Sequence, residues 1–549
     1  MPLSWIAFGA CAFFLIAYFT YGRVIARFFT LSNVTPTPAS VHNDGEDFVP
    51  ARAPLLLGQH FSAIAAAGPI VGPILAGLWF GWLPALLWIL LGAVFFGAVH
   101  DFSSLIGSVR HDARSVAEIV GEQMGRRAYL LFLLFIWLSL VYVITAFTDL
   151  TSASFMEPTY GGGVATASLL YLLLAVAMGF WLRSGKITLG RATVIFVPLV
   201  AGAIWFGQSF PIQMPALGGL RPQVVWNLLL LAYCFLASVT PLWALLQPRG
   251  YLGGFFLYIV LAAGVVGIFL GGESVRYPAF LGWQALNGLP LFPMLFVTIA
   301  CGACSGFHGL VSSGTTSKQV AQESDTHLVG YGGMLLEGLV AVIALSTVML
   351  LAPGDGLTAS QPDRIYAAGL SRFVETFGVA REWAMSFTLL AFATFIYDTL
   401  DVATRLSRYI LQELLGWKSA QGKHAATIMS LALPGVFVCM SLKDASGQAI
   451  PAWKMFWTIF GTSNQLLAGL TLVGLTLWLR RLGKPIWPTA VPAAFMLVMT
   501  LWSLGVTART RLGSNALDPI GWVAVILALL ALLMLTQVRR ARPIPQGSH

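Results

Sequence analysis

Long apolar runs of about twenty residues alternate with short polar connectors along almost the whole chain. A bilayer's hydrocarbon core is ~30 Å thick and takes about 20 helical residues to cross. About fifteen runs meet that need. The first eight are Ser4–Tyr21, Gly58–Trp82, Pro84–Ile106, Ala128–Phe147, Ala165–Trp181, Thr193–Phe206, Val224–Leu246 and Leu252–Gly271. The rest are Leu291–Val311, Val329–Leu351, Trp383–Leu406, Ala425–Leu442, Phe456–Trp478, Ile486–Leu504 and Ile520–Leu535. The period-two alternation of a spanning β-barrel is absent. The pattern predicts an all-α polytopic membrane protein.

Composition agrees. Of 549 residues, 57% are hydrophobic and 10% charged, against about a quarter charged in a soluble domain. The formal charge of +9 comes from Lys and Arg in the connectors, with no basic face interleaved with aromatics, so no nucleic-acid partner is expected. Basic residues mark every second connector: Arg23, Arg27 and Arg52; Arg110, Arg114, Arg126 and Arg127; Arg183, Lys186 and Arg191; Arg249; Lys318; Arg405, Arg408, Lys418 and Lys423; Arg480, Arg481 and Lys484; then Arg539, Arg540 and Arg542. The positive-inside rule puts that side in the cytoplasm, the N-terminus outside and the C-terminus inside. The first run has its arginines after it and reads as a retained span. The five cysteines lie in apolar runs and read as small hydrophobes. Cys301 and Cys304 form a C-x-x-C beside His308, but no second ligand pair accompanies them and no metal site is expected.

Two runs are not ordinary spans. From Gln59 the first reads through His60, Phe61, Ser62 and Ala65 to Gly68-Pro69 and Gly72-Pro73. Two Gly-Pro pairs remove helix hydrogen bonds, and freed backbone at membrane depth must be buried or line a wet cavity. The second, 298–316, gathers Ser305, Gly306, Phe307, His308, Ser312 and Ser313. Small residues there also serve close helix packing, which does not explain so many hydroxyls beside a histidine. Broken helices running in opposite directions point to a transporter's central site, and half-helix N-termini favour an anionic group such as a carboxylate.

Ionisable residues inside spans are functional candidates by default. They are His100-Asp101, Glu337, and Asp398 and Asp401, the last two one turn apart on one face with Thr394 and Thr399 close by. The structural alternative is an ion pair of Asp398 or Asp401 with Arg405. The acidic connector His42, Asp44, Glu46 and Asp47 lacks Ca²⁺-loop spacing and reads as a gate or capping element.

At these segments the sequence resembles the carbon starvation CstA family of membrane transporters. The stretches that carry the likeness are 43–50, 60–73, 97–102 and 305–316. Gln59 stands where a second histidine is expected beside His60. The resemblance implies a LeuT-like inverted-repeat core, similar to the amino acid–polyamine–organocation transporters, with two broken helices and extra peripheral helices. It implies cation-coupled uptake of pyruvate or short peptides across a bacterial inner membrane. The expected divisions are 1–57, an N-terminal span and connector; 58–290 and 291–480, the two parts of the core; and 481–549, the last spans and tail. The solute is expected between His60, Phe61, Gly68, Pro69 and Gly72 on one run and Ser305, Phe307, His308, Ser312 and Ser313 on the other. Ala65, Asp101, Thr394, Asp398, Thr399 and Asp401 are expected at the coupling site for H⁺ or Na⁺. Expected partners are the solute and the bilayer; a homo-oligomer is compatible with the sequence. No cofactor is expected, and the P-loop of an ATP-driven pump is absent. A passive channel and a nutrient sensor without net flux are the alternative classes.

Overall fold

The structure is a computed structural model that describes residues 1–44, 48–65, 67–286, 288–417, 419–440 and 450–538. In chain order its main helices are α1 (Leu3–Phe29), α2 (Ala53–Ile64), α3 (Gly68–Phe80), α4 (Trp82–Arg110), α5 (Arg126–Phe155), α6 (Gly161–Arg183), α7 (Leu189–Ser209), α8 (Pro222–Val239) and α9 (Leu246–Leu270). There follow α10 (Leu291–Thr298), α11 (Ala300–Ala303), α12 (Gly306–Val311), α13 (His327–Met349), α14 (Pro362–Glu375), α15 (Arg381–Leu415), α16 (Ala420–Cys439), α17 (Ala452–Arg481), α18 (Trp487–Ser514) and α19 (Pro519–Val538).

Among the described residues each apolar run of the sequence is mainly helical. Among the described residues twelve helices are long and apolar enough to cross a membrane, thirteen with the bent pair α2/α3 counted as one span. That is fewer than the fifteen runs. The run 291–311 is cut into the three short helices α10, α11 and α12. The run 456–478 forms the long helix α17, but with Asn464 and Gln465 buried at its middle.

Both breaks fall within the runs the sequence singles out, but only the first Gly-Pro pair marks a break: Gly72-Pro73 lies inside the continuous helix α3. Helix α2 stops at Ile64 and α3 begins at Gly68, the two axes inclined at 49°. Pro69 occupies the first turn of α3, where its missing N–H would have had no partner anyway. In the second run Cys304 and Ser305 are extended, with φ/ψ of −163°/115° and −121°/125°.

Contact between the broken runs is close, because the glycines there leave no side chain in the way. A Cβ on Gly68 would strike Cys301, and one on Gly72 would strike the Thr298 carbonyl. Around this centre α5 packs on α15 and α17, α9 on α2 and α15, and α13 on α3. Helices α6 and α7 pack chiefly on each other. They are an inserted pair between the two broken runs, and α7 turns most of its surface outward. At one end the connector after α1 pairs with the chain after α12: the Val49 and Ala51 N–H groups donate to the Lys318 and Gln319 carbonyls at 3.2 and 2.9 Å.

Candidate functional site

Two buried polar clusters flank the first broken run. The first centres on His308 of α12, whose Nδ1 lies 2.7 Å from Asp101 Oδ2 of α4 and whose Nε2 lies 3.0 Å from Glu337 Oε2 of α13. The other Asp101 oxygen is 2.8 Å from His100 Nδ1. All four side chains are buried. Burying charge in hydrocarbon is costly, and carboxylates and imidazoles gathered this tightly offset one another. His60 on α2 stands beside this group and bonds Thr316 Oγ1 through Nδ1 at 2.9 Å.

The second cluster is built on Arg249, in the first turn of α9 and fully buried. Its guanidinium lies 3.0 Å from Asp398 Oδ1 and pairs directly with Asp401 Oδ2. Tyr233 of α8 donates to the same Asp401 oxygen at 2.8 Å, and Arg249 donates to the Tyr233 hydroxyl at 2.5 Å. The ring of Tyr397 lies under the guanidinium, 5.2 Å from its centroid. Tyr171 of α6 donates to the Arg249 carbonyl at 2.6 Å. Ser62 of α2 donates to Asp398 Oδ2 at 2.8 Å, which ties the first half-helix to α15. Gly253, one turn beyond Arg249, is bare where the Asp398 carboxylate approaches.

This arrangement corrects two expectations. Arg249 is not a connector charge but the buried partner of both aspartates. Arg405 pairs with neither of them; it donates to the Ala237 and Thr240 carbonyls at 2.7 and 2.6 Å. A buried arginine between two apolar runs carries no periodicity signal, and its density of partners appears only in three dimensions.

Sequence reasoning also passed over Asn464 of α17, which fills the second break. Its Oδ1 accepts the Phe307 N–H at 2.8 Å, and its Nδ2 donates to Ser305 Oγ at 2.9 Å and to Cys301 Sγ at 3.2 Å. The half-helix α12 is thereby capped from a neighbouring helix.

A cavity of about 100 Å³ lies between α2, α9, α15 and the chain after α12. Its part-exposed rim includes Gln59, Gln247, Thr315 and Gln319; its buried floor includes His60, Ser62, Asp398 and Asp401. Of the expected site residues, it brings together His60, Asp398 and Asp401. Gly68, Pro69, Gly72, Ser305, Phe307 and His308 lie in the packed centre, buried. Ala65 ends α2 by donating to the Phe61 carbonyl, and Phe61 packs on Tyr258. Ser313 caps Val116 N at 3.1 Å. Ser312 and Thr394 are buried without a hydroxyl partner among the described residues, and Thr399 bonds back to Phe395. In the acidic connector His42 pairs with Asp112 at 2.7 Å and Asp44 accepts from Phe48 N; Glu46 and Asp47 lie outside the described residues, as do Lys418 and Arg539, Arg540 and Arg542 of the basic set.

The sequence matches the family described as Carbon starvation protein CstA over residues 3–363 and 355–503. The chain belongs to this CstA family. Among its relatives, the Peptide transporter CstA of Campylobacter jejuni is 34% identical, over 90% of this chain and 78% of its own. The Pyruvate/proton symporter BtsT of Escherichia coli is 31% identical, over 91% of this chain and 81% of its own. A solved manganese transporter of Eremococcus coleocola aligns with 91% of this chain and 99% of its own at a TM-score of 0.54 and 12% identity. That likeness shows the fold, an inverted-repeat transporter core around two broken helices. This CstA-family chain is thus a multi-pass membrane protein and a transporter, not an enzyme.

Proposed function

We propose that the protein is a secondary active symporter that imports a small carboxylate nutrient of the pyruvate class across a bacterial inner membrane. The observation that carries this reading is the cavity whose floor contains the Asp398–Asp401 pair held by Arg249. One guanidinium set against two carboxylates leaves one negative charge to be balanced. A proton or a sodium ion arriving from the cavity balances it, and Ser62 transmits the change to the first half-helix. His60 Nε2, without a hydrogen-bond partner among the described residues, and the rim amides of Gln59, Gln247 and Gln319 supply donors for a carboxylate.

Size supports a small solute. A volume of about 100 Å³ accommodates several water molecules or a three-carbon acid. Short peptides are the second reading, favoured by relatives named as peptide transporters. With the basic connectors in the cytoplasm, the N-terminus lies outside, the C-terminus inside, and the cavity faces inward. Alternating access then rocks the elements bearing the broken helices against α5, α9 and α15.

The test is uptake of labelled pyruvate and of a labelled dipeptide into proteoliposomes under imposed proton or sodium gradients, for wild type and Asp398→Asn. Gradient-driven accumulation of pyruvate, lost in the variant, is the expected result. Flux that only equilibrates would favour a channel. Binding without flux would favour a sensor.

A further inference from the structure

The inserted pair α6/α7 carries a second cavity, of about 750 Å³, lined by Trp181, Lys186, Ile187, Arg191, Val194 and Ile195. Its size falls within the range of small-molecule sites, about 300–1,000 Å³. The cavity lies at the ends of two spans, where α6 stops at Arg183 and α7 starts at Leu189. The segment 181–195 holds three cations and no Asp or Glu. Arg183 is engaged, its guanidinium 5.0 Å from the Trp243 ring centroid. Lys186 and Arg191 are exposed, and neither enters an ion pair among the described residues. Just beneath them, on the membrane side, Trp181, Val194 and Ile195 present exposed apolar surface.

We propose that this cleft binds one anionic phospholipid, its headgroup phosphate between Lys186 and Arg191 and its acyl chains along Trp181, Val194 and Ile195. A soluble anion would leave the apolar wall uncovered, and a zwitterionic lipid would bring a cation to a place that already has two. Basic pockets between spans on the cytoplasmic side attract anionic headgroups for this reason. Helix α7, which forms one wall of the cleft, also touches the transport elements: Thr193 Oγ1 lies 2.7 Å from the hydroxyl of Tyr251, two residues beyond Arg249. A lipid seated there steadies α7 against α9.

The experiment is native mass spectrometry of the full chain in detergent, titrated with phosphatidylglycerol, phosphatidylcholine or inorganic phosphate. Wild type is compared with the Lys186→Gln/Arg191→Gln double variant and with Arg221→Gln, an exposed cation away from the cleft. One phosphatidylglycerol is expected to bind wild type and Arg221→Gln alike. The double variant is expected to bind it about 30-fold more weakly, from two cations near an anionic surface. Both altered side chains are exposed, and an unchanged lipid-free unfolding midpoint verifies the fold. Equal binding by the double variant, equal binding of phosphatidylcholine, or saturation by phosphate alone would overturn the proposal.

Discussion

Arg249 and Asp398 meet as a buried ion pair at 3.0 Å, joining the first turn of α9 to the middle of α15 at the floor of the cavity. The same guanidinium holds Asp401, so a single cation organises both acidic residues of the span. The consequences are measurable.

Replacing Arg249 by Met leaves two carboxylates buried without a counter-charge. Removing one partner of a buried pair costs about 3–5 kcal/mol, so the detergent-solubilised variant is expected to unfold at a markedly lower temperature. The triple variant Arg249→Met/Asp398→Asn/Asp401→Asn should recover much of that loss while remaining inactive in uptake. An Arg249→Met protein with the wild-type midpoint would show that the cluster does not hold α9 to α15.

Asn464 is a positioning residue for the second broken helix. Asn464→Leu removes the acceptor for the Phe307 N–H and leaves that donor buried and unpaired, a cost of about 1–3 kcal/mol. Asn464→Asp keeps the acceptor and is expected to stay closer to wild type in thermal unfolding. If both variants melt alike, the cap is not the source of the stabilisation.

Gly306 rests directly on the backbone of Asn464 and Ala468, where an added Cβ would lie 2.5 Å from backbone atoms of each. Gly306→Ala therefore forces α12 away from α17 and should lower both stability and uptake. Gly202, on the outward-turned α7, has no neighbour within 4 Å of such an atom. Gly202→Ala is expected to be neutral or stabilising by up to about 1 kcal/mol, the helix-propensity difference. Paired melting curves test the contrast.

Gln247 and Gln319 stand on the cavity rim. If they hold the solute through neutral hydrogen bonds, each Ala variant loses about 1 kcal/mol of binding, or roughly fivefold. That loss should appear as a raised KM with kcat little changed, the pattern of an interaction made equally in ground and transition states. A fall in kcat with unchanged KM would assign these residues to the conformational step instead.

Much of the fold was legible from residues 1 to 535, because lipid leaves a chain little choice. Every backbone polar group must be satisfied within the segment, so apolar run length alone predicts helices. Gly68-Pro69 announced the first break through proline's missing donor, and the Gly- and Ser-rich stretch after Thr298 announced the second. Less legible was which runs meet the criteria of a simple span, since breaks and buried amides alter a helix without altering its neighbours in sequence.

The site divided along the same line. Asp101, His308, Asp398 and Asp401 were conspicuous in the sequence because charge is rare in a span and each one needs a partner. The identity of those partners was a matter of tertiary structure alone. Arg249 looked like one more topogenic cation between two apolar runs; only the packing of α9 on α15, with Gly253 making room, turned it inward onto two carboxylates. Asn464 looked like an ordinary polar residue until the crossing of α17 brought it to the break at Ser305. Sequence by itself determined that the apolar runs fold as helices and which two of them are broken, through local hydrogen-bond and desolvation costs. The tertiary structure decided which charges neutralise one another and where a cavity remains, because both depend on contacts between helices far apart in the chain.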